Sequence, residues 1–134
     1  YLNYFREGGS NFPSYTPIVA GGSNACILHY IENNKTIKES DLVLVDAGCE
    51  YNYYASDITR TFPISGKFSA EQKAIYEVVL EAHKKSTEAI VVGNSCMDPQ
   101  KTSEEVISQG LKDLGFLKEP LEEILEKKLF REFY

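Results

Sequence analysis

The sequence predicts an α+β fold on three observations. The first half is punctuated by Gly, Ser, Asn and Pro, two β-branched apolar runs read as the arms of a hairpin, and apolar residues recur at helical spacing only from Ser69 onward. Strands first and helices after favours helices laid on one face of an antiparallel sheet. With 134 residues, 43% of them hydrophobic, the chain has the size of one modest domain, or part of one, with a real core.

Each element follows from its residues. The first 25 residues are rich in turn formers and read as loops, and the doubled "GGSN" at Gly8 and Gly21 is too short to mark a repeat. Residues 25–33, "ACILHYIEN", carry enough β-branched and aromatic side chains for a strand, and a polar connection follows. "LVLVDA" is a buried strand and residues 55–62 are its returning partner. Ser69 with Gln72 makes a capping box, after which Ile75, Val78, Val79 and Ala82 share a helix face until Gly93 supplies a stop. A second helix starts near Asp98 or Thr102, tolerates Pro99 in its first turn, and ends at Gly115; Gly110 is unfavourable within it. A third begins near Pro120, with an apolar stripe of Leu121, Ile124, Leu125 and Leu129 and a Glu123–Lys127 pair one turn apart.

Charge and composition exclude several functions. A formal net charge of −6 without clustered Lys or Arg argues against nucleic-acid or anionic-membrane partners. No apolar run approaches the roughly 20 residues that span a bilayer. Cys26, Cys49 and Cys96 are too few and too scattered for a disulfide framework, and as free thiols they point to a reducing compartment such as the cytoplasm. The chain starts at Tyr1 and its single methionine is Met97, so a natural N-terminus further upstream is expected and a mitochondrial presequence stays open. Homo-oligomerisation is equally open.

The chemistry concentrates in "LVLVDAGCEYNYYASDITRTFP", where Asp46 and Asp57 lie on the two arms of the hairpin. A register centred between Tyr51 and Asn52 sets Asp46 directly opposite Asp57, with Cβ atoms about 5 Å apart. Two carboxylates that close repel unless a cation or a shared proton lies between them. A pair of divalent ions bridged by a carboxylate is one solution, used for hydrolysis at neutral pH. The other reading is an Asx-turn, because Asp46 precedes Ala-Gly. Spacing alone leaves both open.

The segment "DAGCEYNYYASDITRTFP" closely resembles the first metal-binding segment of the metal-dependent pita-bread aminopeptidases, in the aminopeptidase P (Xaa-Pro aminopeptidase) branch. "FPSYTPIVAGGSNACILHYIENN" and "SGKFSAEQKAIYEVVLEAH" are similar to the flanking segments of that branch, so the resemblance covers essentially the whole chain. It implies a pita-bread, creatinase/aminopeptidase-like fold, with residues 1–134 as the N-terminal part of one catalytic metallopeptidase domain. It implies that Asp46 holds one metal through both oxygens, that Asp57 bridges two, and that His29 is the catalytic histidine near the scissile bond. It also places Tyr15 near the metals. Thr59 and Thr61 would share a strand face with Asp57, where a hydroxyl can orient a bound carboxylate. For Tyr15 the competing reading is a loop aromatic packed on the core, and for the threonines ordinary sheet duty. His83, within a helix, reads as structural.

The resemblance implies five metal ligands in all, two Asp, a His and two Glu, and only the first two are present; the other three would lie beyond Tyr134. The expected whole is therefore a longer enzyme. It would use two divalent ions, manganese fitting an oxygen-rich site best, to release the N-terminal residue from peptides with proline second. Alternatives are a prolidase cleaving Xaa-Pro dipeptides and a pita-bread module that binds peptides or proteins without catalysis. Retention of both aspartates weighs against the last. Cys49 has no neighbouring base that would make it a nucleophile, and no serine-hydrolase or phosphate-loop motif is present.

Overall fold

In the computed structural model, which describes residues 1–133, the chain forms two compact units that meet in sequence between Phe68 and Ser69. The first begins with a short helix, α1 (Leu2–Glu7), and continues through β1 (Phe12–Pro13) and β2 (Ile18–Gly21) into a 3-10 helix over Gly22–Cys26. It ends with β3 (Leu42–Ala47), β4 (Cys49–Tyr51), β5 (Tyr54–Ala55) and β6 (Ile58–Pro63). The strands form two antiparallel three-stranded sheets, ordered β2-β3-β6 and β1-β4-β5.

One long hairpin supplies strands to both sheets. Its lower half, β3 with β6, pairs Leu42 with Pro63 through Ala47 with Ile58, and its upper half, β4 with β5, pairs Glu50 with Ala55. The turn falls on Asn52 and Tyr53, whose φ values of 50° and 68° are those of a two-residue hairpin turn with both central residues left-handed. Asn tolerates that conformation and Tyr does so rarely. The register is therefore centred between Asn52 and Tyr53, one residue later than expected from the sequence, and Thr59, not Asp57, stands opposite Asp46.

The loop reading of the first 25 residues is corrected by α1, β1 and β2. Ile18 and Ala20 alternate inward along β2 and form a small core with Tyr30, against which Ala25 and Leu44 pack. The strand expected over residues 25–33 is absent as well. The 3-10 turn occupies its start, and left-handed residues at His29 (φ 54°) and Asn33 (φ 49°) break any extended run.

The second unit contains α2 (Ala70–Glu88), α3 (Asp98–Asp113), α4 (Leu121–Lys127) and a closing 3-10 turn over Leu129–Glu132. The capping box at α2 is formed in full: Ser69 Oγ accepts from Gln72 N at 3.2 Å and Gln72 Oε1 from Ser69 N at 2.9 Å. The helix ends at Glu88, ahead of the expected stop at Gly93. At the end of α3, Gly115 adopts φ 80° and its N–H donates to Lys112 O, while Phe116 N–H reaches back to Leu111 O. This is the paired-bond ending that glycine permits after a helix. Lys127 Nζ meets Glu123 Oε1 at 2.7 Å on α4, as the spacing predicted.

The helical core gathers Ala82, Ile107, Leu111, Leu117, Ile124 and Phe130. Of the stripe expected on α2, only Ala82 is buried, and Ile75 and Val79 stay exposed. Gly110, unfavourable by helix propensity, is explained by packing. A Cβ there would lie 2.4 Å from Val78 Cγ1, so the missing side chain lets α3 approach α2. Gly110→Ala should destabilise the chain by about 1–3 kcal/mol in urea unfolding, despite the better helix former. Val78→Ala in the same chain should recover part of that loss.

Candidate metal centre

Asp46 lies near the end of β3 and Asp57 just before β6 begins. Between them the hairpin narrows abruptly. Ala47 pairs with Ile58 and Glu50 with Ala55, so Gly48 and Cys49 run beside Asp57 and Ser56. Gly48 is buried, and a Cβ at that position would fall 1.7 Å from the backbone oxygen of Ser56 and 2.6 Å from Ser14 Oγ. Only a residue without a side chain lets the two arms come that close.

Serines tie the narrowing together. Ser14 N–H donates to Gly48 O at 3.0 Å, and Ser14 Oγ donates to Ser56 O at 2.6 Å. Ser56 N–H donates to Cys49 O at 2.9 Å, and Ser56 Oγ accepts from Cys49 N–H at 2.9 Å. Ser10 Oγ bonds Glu50 O at 2.6 Å and so anchors the segment leading into β1. The crossing therefore fixes three neighbours at once: Tyr15 after Ser14, Asp57 after Ser56, and Asp46 before Gly48.

Those three side chains converge. The phenol hydroxyl of Tyr15 donates to Asp46 Oδ1 and also lies 3.0 Å from Asp57 Oδ1. Desolvation of the half-buried phenol and its hydrogen bonds to Asp46 and then Asp57, reinforced by their charges, push its ionisation well above the usual tyrosine range. It therefore stays a proton donor. One phenol carries one proton, so two carboxylates meet at a group that can fully satisfy only one of them. Among the described residues no Lys, Arg or His pairs with either aspartate. An all-oxygen, net-anionic set of this kind suits a hard divalent cation. Among the described residues, no group of three or more His, Cys, Asp or Glu side chains comes together to hold a metal ion.

The remaining candidates are placed as follows. Tyr15 is in the site, with a polar role and not as a core-packing aromatic. Thr59 is the cross-strand partner of Asp46, but among the described residues its hydroxyl makes no hydrogen bond to that carboxylate; Thr61 pairs with Leu44. His29 is exposed, in a left-handed turn and not on a strand. His83 is exposed on α2, and Cys26, Cys49 and Cys96 are free thiols. Sequence reasoning missed Ser14 and Ser56. It took Gly48 only as turn context, where the signal is a glycine flanked by strands that must let a backbone through.

A model of metallopeptidase family M24 matches residues 1–133. The chain belongs to this family. Among M24 relatives, an Xaa-Pro aminopeptidase of Haemophilus influenzae is 51% identical over 133 residues, covering 99% of this chain and 31% of the relative. The solved structure of Pseudomonas aeruginosa aminopeptidase PepP superposes with a TM-score of 0.92 at 50% identity, over 96% of this chain and 29% of that one. An aspartate-to-alanine variant of Escherichia coli aminopeptidase P is 41% identical with a TM-score of 0.91, over 96% of this chain and 29% of that one. A second such variant replaces an aspartate separated from the first by the same interval as Asp46 from Asp57. The fold is thus the pita-bread, creatinase/aminopeptidase-like fold of these M24 enzymes, and the chain spans under a third of their length.

Gly48→Ala should break the crossing, at a cost of about 3 kcal/mol or more, since backbone and not a flexible side chain occupies the space. Hydrogen exchange would read this as lost protection at the amides of Cys49 and Ser56, while the helical amides keep theirs.

Proposed function

We propose that this chain carries the first two metal ligands and the catalytic histidine of an Xaa-Pro aminopeptidase, an enzyme that releases the N-terminal residue from peptides with proline in second position. The observation that carries this reading is the convergence of Asp46 and Asp57 on the Tyr15 hydroxyl, with no ion pair to either aspartate among the described residues. The matching aspartate interval in Escherichia coli aminopeptidase P and the names of the relatives support it.

In this reading Asp46 and Asp57 would be ligands to divalent ions, manganese suiting the oxygen donors. When bound, the ions supply Lewis acidity and activate water at neutral pH. The protein groups do the rest. Asp57 is exposed, reached by Tyr15 at 3.0 Å, and its carboxylate would be open to an ion from solvent. Tyr15, whose hydroxyl donates to Asp46 Oδ1, would orient that carboxylate. His29, exposed on its turn, meets the peptide near the bond to be cleaved and moves a proton there. The leaving proline nitrogen must gain a proton, and an imidazole is suited to that task near neutral pH.

Two carboxylates alone do not fix a pair of ions, so the 134-residue chain should show no Xaa-Pro cleavage with manganese, and a version extended to the relatives' full length should be active. Proline-directed cleavage by the short chain at a rate near that of the extended one would refute the reading. In the extended enzyme, His29→Ala should lower kcat by about 10²–10⁴-fold with metal content unchanged. Loss of the ions together with His29 would reassign it as a ligand.

A further inference from the structure

The segment that carries His29 is held by two clamps on one strand. The first is apolar: Tyr30, next to His29, is 4% exposed and packs with Ile18 and Ala20 of β2. The second is polar and belongs to Asn33. Its Oδ1 accepts from Val19 N–H at 2.7 Å, and its Nδ2 donates to Pro17 O at 2.9 Å. Along a strand the N–H and C=O of alternate residues point to the same edge, so one carboxamide reproduces what a neighbouring strand would offer there. Among the described residues β2 has only β3 as a paired neighbour, and Asn33 occupies its other edge.

The clamp sits at a defined level of β2. Val19 and Pro17 flank Ile18, and Ile18 is the residue of β2 directly opposite Asp46. Tyr30 belongs to the same small core as Ile18. His29 itself is exposed and left-handed. Its backbone is therefore referenced to the position of β2 that faces the first candidate ligand, by Tyr30 on one side of it and by Asn33 four residues on. Asn33 has a left-handed φ of 49°, which Asn adopts at low cost and which most other residues resist. The side chain that makes the clamp and the backbone that needs Asn are the same residue.

We infer that Asn33 is a positioning residue for His29, locking the histidine segment to the outer edge of β2 at the level of Ile18, the residue opposite Asp46. This rests on the reading of His29 as the substrate-facing histidine. Substituting Asn33 by Gly keeps the left-handed backbone and deletes both hydrogen bonds. Substituting it by Asp keeps the acceptor for Val19 N–H and loses the donor to Pro17.

The test is a cycle in the full-length, manganese-loaded enzyme, with kcat, KM, metal content and melting temperature measured on an Xaa-Pro-Xaa peptide. Asn33→Gly should lower kcat by about 10–100-fold at constant metal content, as expected for misplacing a catalytic group, with Asn33→Asp in between. On a His29→Ala background, Asn33→Gly should change kcat by less than about twofold, because its effect passes through His29. The inference is overturned if His29→Ala lowers kcat strongly but Asn33→Gly does not, or if the two losses multiply in the double variant. If His29→Ala leaves kcat unchanged, the reading of His29 fails, and the positioning role falls with it. Should Asn33→Gly lose its metal or its fold, Asn33→Asp decides the matter by the same comparison of single and double variants.

Discussion

The backbone oxygen of Ser56 occupies the space that any side chain on residue 48 would need, and the candidate site depends on that steric fact. The hairpin could otherwise not narrow between Asp46 and Asp57. Because it does, the strand below the crossing delivers Asp46, the strand above it returns through Ser56 to Asp57, and Ser14, bonded to both arms, delivers Tyr15 from a third segment. A local requirement for glycine is thus converted into a three-residue constellation that spans 42 positions of the chain, from Tyr15 to Asp57. The same crossing hands the hairpin from one sheet to the other.

The energetics of the site oppose those of a stable core. Among the described residues neither carboxylate has a basic ion-pair partner, and their mutual repulsion is only partly relieved by one phenol proton. The structure tolerates this because Asp57 remains exposed and Asp46 is only half-buried, so water screens much of the repulsion. A divalent cation is a group that would relieve the repulsion that remains. Asn33 and Tyr30 apply the same economy to His29. An exposed histidine cannot be fixed by burial, so its neighbours are fixed instead.

Much of this was legible in the sequence, and the failures have physical causes. The capping box at Ser69, Gly115 after the second helix and the Glu123–Lys127 pair are local signals, and they formed as read. The aspartate register was misread by one residue at the turn because the left-handed pair includes Tyr53, which gives no turn signal. That error moved the partner of Asp46 by two positions, from Asp57 to Thr59, and an even shift preserves the sheet face. The two carboxylates consequently still converge, although they are not directly opposed. Strands β1 and β2 were hidden in a turn-rich stretch, because both are short and exist through pairing with residues some 30 positions away. Residues 25–33 have strand composition but lack the backbone for it. His29 and Asn33 turn left-handed there, and tertiary contacts, not propensity, decide the outcome.

The central claim is that Asp46 and Asp57 form one cation site in which Tyr15 takes part. Manganese titrated into the 134-residue chain and followed by paramagnetic broadening of amide signals tests it directly, because the method locates even a weakly bound ion. The account predicts that the first signals to broaden are those around Tyr15, Asp46 and Asp57, and that Asp46→Asn or Asp57→Asn each abolishes this pattern. Broadening spread across the acidic helices, or a pattern unchanged by either substitution, would contradict it.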